Sequence, residues 1–304
     1  MLQLFLEQAL NGLQFGLMLF LLAAGLTLVF GIMDMINLSH GSLYMGGAYL
    51  AAAAVERTGS FALGVLGAVA GMIVVGALLE RLVLRRFYQR DHLAQVLATF
   101  ALILIANETV RIVWGPQPVM LNAPEALSGP VEVFGFSYPA YRLLIIGVGL
   151  GVAALLYVLV AKTRVGMWVR AGAANREMTE AMGVNVPRLF TAIFALGAAL
   201  CAVAGALLGP LLAVQVGMGE NILILAFVVI VIGGIGSIRG ALVGALLVGG
   251  VDTLGRALLP TLLGSLASNE VASNLGPALA SILIYALMAA VLFWKPQGLF
   301  PARA

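Results

Sequence analysis

Long apolar runs separated by short polar breaks set the pattern of this chain. The runs last about twenty residues, the length that crosses a ~30 Å hydrocarbon core. They lie near 9–31, 37–55, 61–84, 93–114, 141–161, 189–213, 220–236, 239–258 and 276–294. Lipid offers no partner to a backbone N–H or C=O, so each run is expected to be helical. The pattern predicts an all-α polytopic membrane protein with about nine transmembrane helices. Eight to ten are allowed for two reasons. Only GSIR, at 236–239, interrupts the stretch 220–258, and 37–55 is polar enough to be a broken or re-entrant helix.

Composition supports this pattern. Of 304 residues, 62% are hydrophobic and 10% charged, against roughly a quarter charged in soluble domains. The net charge of +3 matters through its placement. With nine spans, twelve basic residues fall on one side: Arg81, Arg85, Arg86 and Arg90, then Lys162, Arg164, Arg170, Arg176 and Arg188, then Arg239, Lys295 and Arg303. Four fall on the other: Arg57, Arg111, Arg142 and Arg256. The positive-inside rule then puts the C-terminus in the cytoplasm and the N-terminus outside. The basic residues orient the chain in lipid, and no nucleic-acid partner is expected. Residues 1–10 hold no Lys or Arg, so the first run is expected to remain in the mature protein. Neither long connection, 115–140 or 162–188, is large enough for a core of its own, so 1–304 is expected to be a single transmembrane domain. Cys201, in an apolar run, reads as a small packing residue.

Chemistry within the spans is sparse. Glu108 and Arg111, three apart, and Asp252 and Arg256, four apart, are placed to neutralise each other as structural ion pairs. No buried chain of carboxylates or histidines suggests a proton relay. Neither lysine, Lys162 or Lys295, follows a glycine-rich phosphate loop. No metal-ligand cluster and no nucleophile with a base at recognisable spacing is present. The chain is therefore not expected to be an enzyme, to hold a cofactor or to bind ATP itself. Glycines recur four apart at Gly12/Gly16, Gly67/Gly71, Gly147/Gly151, Gly205/Gly209 and Gly236/Gly240/Gly244. This spacing lets helix backbones approach closely, within one subunit or across a seam between subunits.

The segment GMWVRAGAANREMTEAMGVNVPRLF, 166–190, carries too many charges to span. Met167, Ala171, Ala174, Met178 and Met182 follow one helical stripe. Two readings fit: a helix resting on headgroups, or one presented to a cytoplasmic partner. Gly183 and Pro187 are expected to end it.

Four stretches resemble the permease subunits of branched-chain amino acid ABC importers, in particular the H-type subunit. They are FGIMDMINLSHGSLYMGGAY (30–49), RAGAANREMTEAMGVNV (170–186), VIVIGGIGSIRGALVGA (229–245) and KPQGLFP (295–301), in the expected order. The resemblance implies an ABC importer permease fold in the bacterial inner membrane. It also implies a second permease subunit, two cytoplasmic ATP-binding subunits that bind the ATP, and a periplasmic solute-binding protein. Residues 162–188 then look like the coupling loop, with Arg170, Arg176, Glu177, Met178 and Gly183 as its contact residues.

The stretch NLSHG remains open to two readings. Asn37 or Ser39 can cap a helix beginning near Gly41; at a membrane surface this is an ordinary turn, and the nine-span topology puts it near the cytoplasmic side. Deeper in the bilayer, the same helix start would present free N–H groups to a carboxylate. Candidate pathway-lining residues are Asn37, Ser39, His40, Ser42, Tyr44 and Thr99, with His40 also readable as a hydrogen-bonded packing residue. The same architecture importing urea, a short amide or another amino acid, and a self-sufficient carrier or channel, are the competing functions.

Overall fold

A computed structural model describes residues 2–133, 135–264 and 269–301, which leaves Arg303 outside the described residues. The described residues form nine long helices: α1 (Leu2–Met33), α2 (His40–Thr58), α3 (Phe61–Leu82), α4 (His92–Trp114), α5 (Ala140–Lys162), α8 (Val186–Leu208), α9 (Met218–Gly233), α10 (Ile238–Gly264) and α11 (Asn269–Trp294). Two short helices, α6 (Arg164–Ala174) and α7 (Arg176–Ala181), lie between α5 and α8. Seven of the described helices are long and apolar enough to cross a membrane; α9 is shorter, and α2 is too polar. The chain is an all-α multi-pass membrane protein.

Burial divides the helices by role. α1 and α8 are enclosed on nearly all sides, whereas α3, α4, α5 and α11 expose most of their apolar surface, as lipid-facing or subunit-facing helices do. α2 packs between α3, α8 and α9, while α10 lies along α1, α9 and α11. A two-stranded antiparallel hairpin, β1 (Pro130–Val133) and β2 (Phe136–Pro139), leads into α5.

Glycine sets the inter-helix distances at the seams within the subunit. A Cβ on Gly16 would lie 2.8 Å from the Ala245 carbonyl oxygen of α10, and Gly12 faces Gly249 and Gly250. Gly67 and Gly71 face Ala54 and Leu50 of α2, and Gly205 lies against the Tyr44 carbonyl. Four of the five glycine spacings thus serve packing inside the chain. The fifth, Gly147/Gly151, faces open space. Gly205→Val should lower the thermal unfolding midpoint in detergent, through an overpacking cost of about 2 kcal/mol or more. Gly147→Val should leave it unchanged, and equal shifts for both would contradict this assignment of the seams.

The start of α2 differs from the expected turn near the membrane surface. Asp34, at φ +47°, turns the chain at the end of α1. Residues 35–39 then climb back into the bundle. His40 reaches Gly25 of α1 and Gly197 of α8. Residue 197 stands eleven positions into α8, about 16 Å from that helix's first residue. α2 therefore begins deep among the helices. Its entry is fixed by backbone approach between Gly41 and Gly219, a contact no periodicity reveals. The expected side-chain cap is also corrected. Neither residue caps α2 by its side chain; the Asn37 Oδ1 instead accepts from the Ser39 N–H at 3.1 Å and the Ser39 hydroxyl at 2.6 Å.

The fourth helix keeps its expected ion pair, Glu108–Arg111 at 3.1 Å, and α10 keeps Asp252–Arg256 at 2.7 Å. The terminal KPQGLFP folds back on α9: the Leu299 N–H donates to Ile232 O and the Phe300 N–H to Gly233 O, each at 2.9 Å.

Candidate functional site

At the basic end of the bundle, α5 passes into α6 through Thr163, whose hydroxyl accepts from the Gly166 N–H at 3.2 Å. Arg170 turns back and donates to the Val160 carbonyl. That satisfies one of the orphan carbonyls of the last turn of α5 and places a cation at its negative end. Arg170 thus fixes α6 to a spanning helix.

The expected single stripe is corrected here. Asn175 breaks the helix, and its Oδ1 accepts from the Met178 N–H at 2.9 Å to cap α7. Two short helices replace one, yet the stripe remains exposed: Met167 at 52%, Met178 at 61% and Met182 at 80%. Glu177 is exposed as well. Gly183, at φ +88°, ends α7 in the left-handed region that a side chain strains. Gly183→Ala should cost about 1 kcal/mol, read as loss of helicity or a lower unfolding midpoint. Pro187 does not help end that segment. It occupies the first turn of α8, where its missing N–H leaves no bond unmade.

Arg176 is exposed, yet it lies over two rings of neighbouring elements. Its guanidinium lies 4.8 Å from the Phe190 ring centroid and 5.9 Å from that of Tyr88. Glu180 stands 3.7 Å away on the same helix. The two rings meet edge to face at 5.5 Å. Behind them, Glu80 of α3 is fully buried. Its Oε1 accepts from Arg85 Nε at 3.2 Å and the Tyr88 hydroxyl at 2.7 Å. Its Oε2 accepts from Arg85 Nη2 at 3.1 Å and the Thr191 hydroxyl at 2.6 Å. Arg85 reaches Pro187 O as well, at 3.2 Å. Burial, and then the hydrogen bond to Glu80, push the Tyr88 phenol well above its ordinary range, so it stays a donor.

The cluster therefore links α7 through Arg176 to the start of α8, and through Glu80 to the end of α3. A cavity of about 350 Å³ opens beside it, lined by Arg85, Arg86, Tyr88, Gln89, Arg176 and Pro187. Sequence reasoning assigned Arg85 and Arg86 to orientation alone and passed over Glu80, Tyr88, Phe190 and Thr191. The available signal was a carboxylate inside the apolar run 61–84, five residues before an arginine.

Of the candidate pathway residues, Asn37, Ser39, His40 and Tyr44 come together but are buried within the subunit, and Ser42 is half-buried. His40 packs against two glycines, Gly25 and Gly197, with the Leu22 backbone beside its ring. Thr99 lies on α4 and returns its hydroxyl to Gln95 O at 2.9 Å.

Comparison with known proteins gives this geometry its context. Residues 8–292 match the family described as branched-chain amino acid transport system / permease component. The high-affinity branched-chain amino acid transport system permease protein LivH of Escherichia coli K12 is 31% identical, over 84% of this chain and 88% of its own. The corresponding BraD of Pseudomonas aeruginosa is 30% identical, over 97% and 95%. The fructose import permease protein FrcC of Rhizobium meliloti is 34% identical, over 64% and 54%.

Proposed function

The chain belongs to the branched-chain amino acid transport system permease family, and on that premise we propose that it is the channel-forming subunit of an ATP-driven importer of branched-chain amino acids. It lies in the bacterial inner membrane with the basic end cytoplasmic, the N-terminus outside and the C-terminus inside. A second permease subunit completes the conduit, two cytoplasmic ATP-binding subunits supply energy, and a periplasmic binding protein delivers solute. The chain itself binds no cofactor. Residues 162–188 form the coupling loop, within a single transmembrane domain.

One observation carries the coupling role. α7 exposes Glu177 and Met178 while Arg176, beside them, reaches the buried cluster that joins α3 to α8. A push on α7 is thereby passed to two spanning helices. Arg170 serves as the anchor of α6, and Gly183 fixes where α7 stops. The resemblance to a fructose import permease favours a second reading, the same architecture carrying another small polar solute.

The contact is tested by cross-linking. Cys201 is fully buried, so Met178→Cys introduces one accessible thiol. In the assembled complex this thiol should cross-link to an ATP-binding subunit and be shielded from maleimide. Equal labelling with and without those subunits would place the coupling surface elsewhere.

A further inference from the structure

A second cavity, of about 580 Å³, opens at the end of the bundle opposite α6 and α7, between α1, the start of α5, the end of α8 and α10. Its size lies within the range of small-molecule sites, ~300–1,000 Å³. We propose that it is a transient binding site for an α-amino acid zwitterion with an aliphatic side chain, at the outer mouth of the pathway. The inference rests on the amino acid permease reading and deepens it.

Both charges of such a solute find partners on the wall. Asp252 is 8% exposed and uses only Oδ1 on Arg256, leaving Oδ2 for an ammonium among the described residues. Arg142 and Arg256 also face the cavity and suit a carboxylate, since a guanidinium presents several donors in one plane. Arg256 is held from its far side by the Ser281 hydroxyl, at 3.2 Å. Arg142 is steadied by Asn11, whose oxygen also accepts from Tyr138 at 2.9 Å. The lining is thus held in place before any solute arrives, which lowers the ordering cost of binding.

Gln14 points most directly to a ligand. It is 4% exposed, lines the cavity and makes no hydrogen bond among the described residues. Its amide, accessible only from the cavity and not bonded within the chain, is free to bond a polar solute there. Beside the polar Gln8 and Thr253, the wall offers Phe15, Leu208 and Leu212 to an aliphatic side chain. A hexose has no charge to match two guanidiniums and a carboxylate, so the wall favours a zwitterion over a sugar.

The test uses Leu212→Cys, half-exposed on the wall, in the complete complex in proteoliposomes with the rate of modification by a charged methanethiosulfonate as readout. L-leucine should slow modification by about tenfold at ten times its half-protecting concentration. Leucinamide, which lacks the carboxylate, and 4-methylpentanoate, which lacks the ammonium, should each need about tenfold more for equal protection, as should leucine on Gln14→Leu or Asp252→Asn backgrounds. Gln14→Leu introduces no unpaired charge and so separates recognition from folding. Leucine uptake without protection by leucine would overturn the site and leave the transport reading standing. Absent uptake with intact protection would do the reverse. Equal protection by leucine and 4-methylpentanoate would overturn zwitterion recognition.

Discussion

Replacing Arg176 with alanine is expected to lower ATP-driven uptake roughly tenfold or more while the complex still assembles and hydrolyses ATP. Sites coupled through a shared element typically lose factors of this order when the link is cut. Arg176 is the only residue of α7 seen stacking on the Phe190 and Tyr88 rings among the described residues. Its pair with Glu180 is surface-exposed and adds little. Without the guanidinium, α7 can move against α8 without carrying it. Arg176→Lys keeps the charge but loses the planar stacking face, so it should fall between the two. Uptake and hydrolysis both at wild-type levels in Arg176→Ala would remove this contact from the transmission path.

The largest loss of stability is expected from Glu80→Ala. The carboxylate is fully buried and accepts four hydrogen bonds from Arg85, Tyr88 and Thr191. Breaking a buried pair by removing one partner costs about 3–5 kcal/mol. Arg85 is 39% exposed and can turn to water, which places the expected loss near the low end, about 3 kcal/mol. Thr191→Val should cost less, about 1–2 kcal/mol, because the hydroxyl's bonds to Glu80 and Arg85 are lost while those two groups still pair with each other. Thermal unfolding of the detergent-solubilised chain measures both. A Glu80→Ala shift no larger than that of Thr191→Val would contradict a shared carboxylate hub.

The helices were legible because lipid leaves no other solution for an apolar run. All nine expected spans have a long helix, including the poorly divided stretch 220–258, where Gly234 and Gly236 turn the chain at positive φ. The depth of α2 was not legible. It depends on Gly41 meeting Gly219 and on His40 fitting between Gly25 and Gly197, contacts between residues far apart in sequence. The coupling segment was legible in place and exposure but not in shape, since an apolar stripe reads through Asn175 although Asn175 caps a new helix. The Glu80 cluster was hidden for a different reason. Its arginines also satisfy the positive-inside rule, so their second role left no separate mark on the sequence.

Uptake of radiolabelled L-leucine tests the central claim most directly. Proteoliposomes would carry this chain with its partner permease, ATP-binding subunits and binding protein, with ATP or a non-hydrolysable analogue inside. Accumulation above the external concentration that requires hydrolysable ATP is the predicted result. Leucine entry through this chain alone, indifferent to ATP, would contradict it and make the chain a self-sufficient carrier or channel.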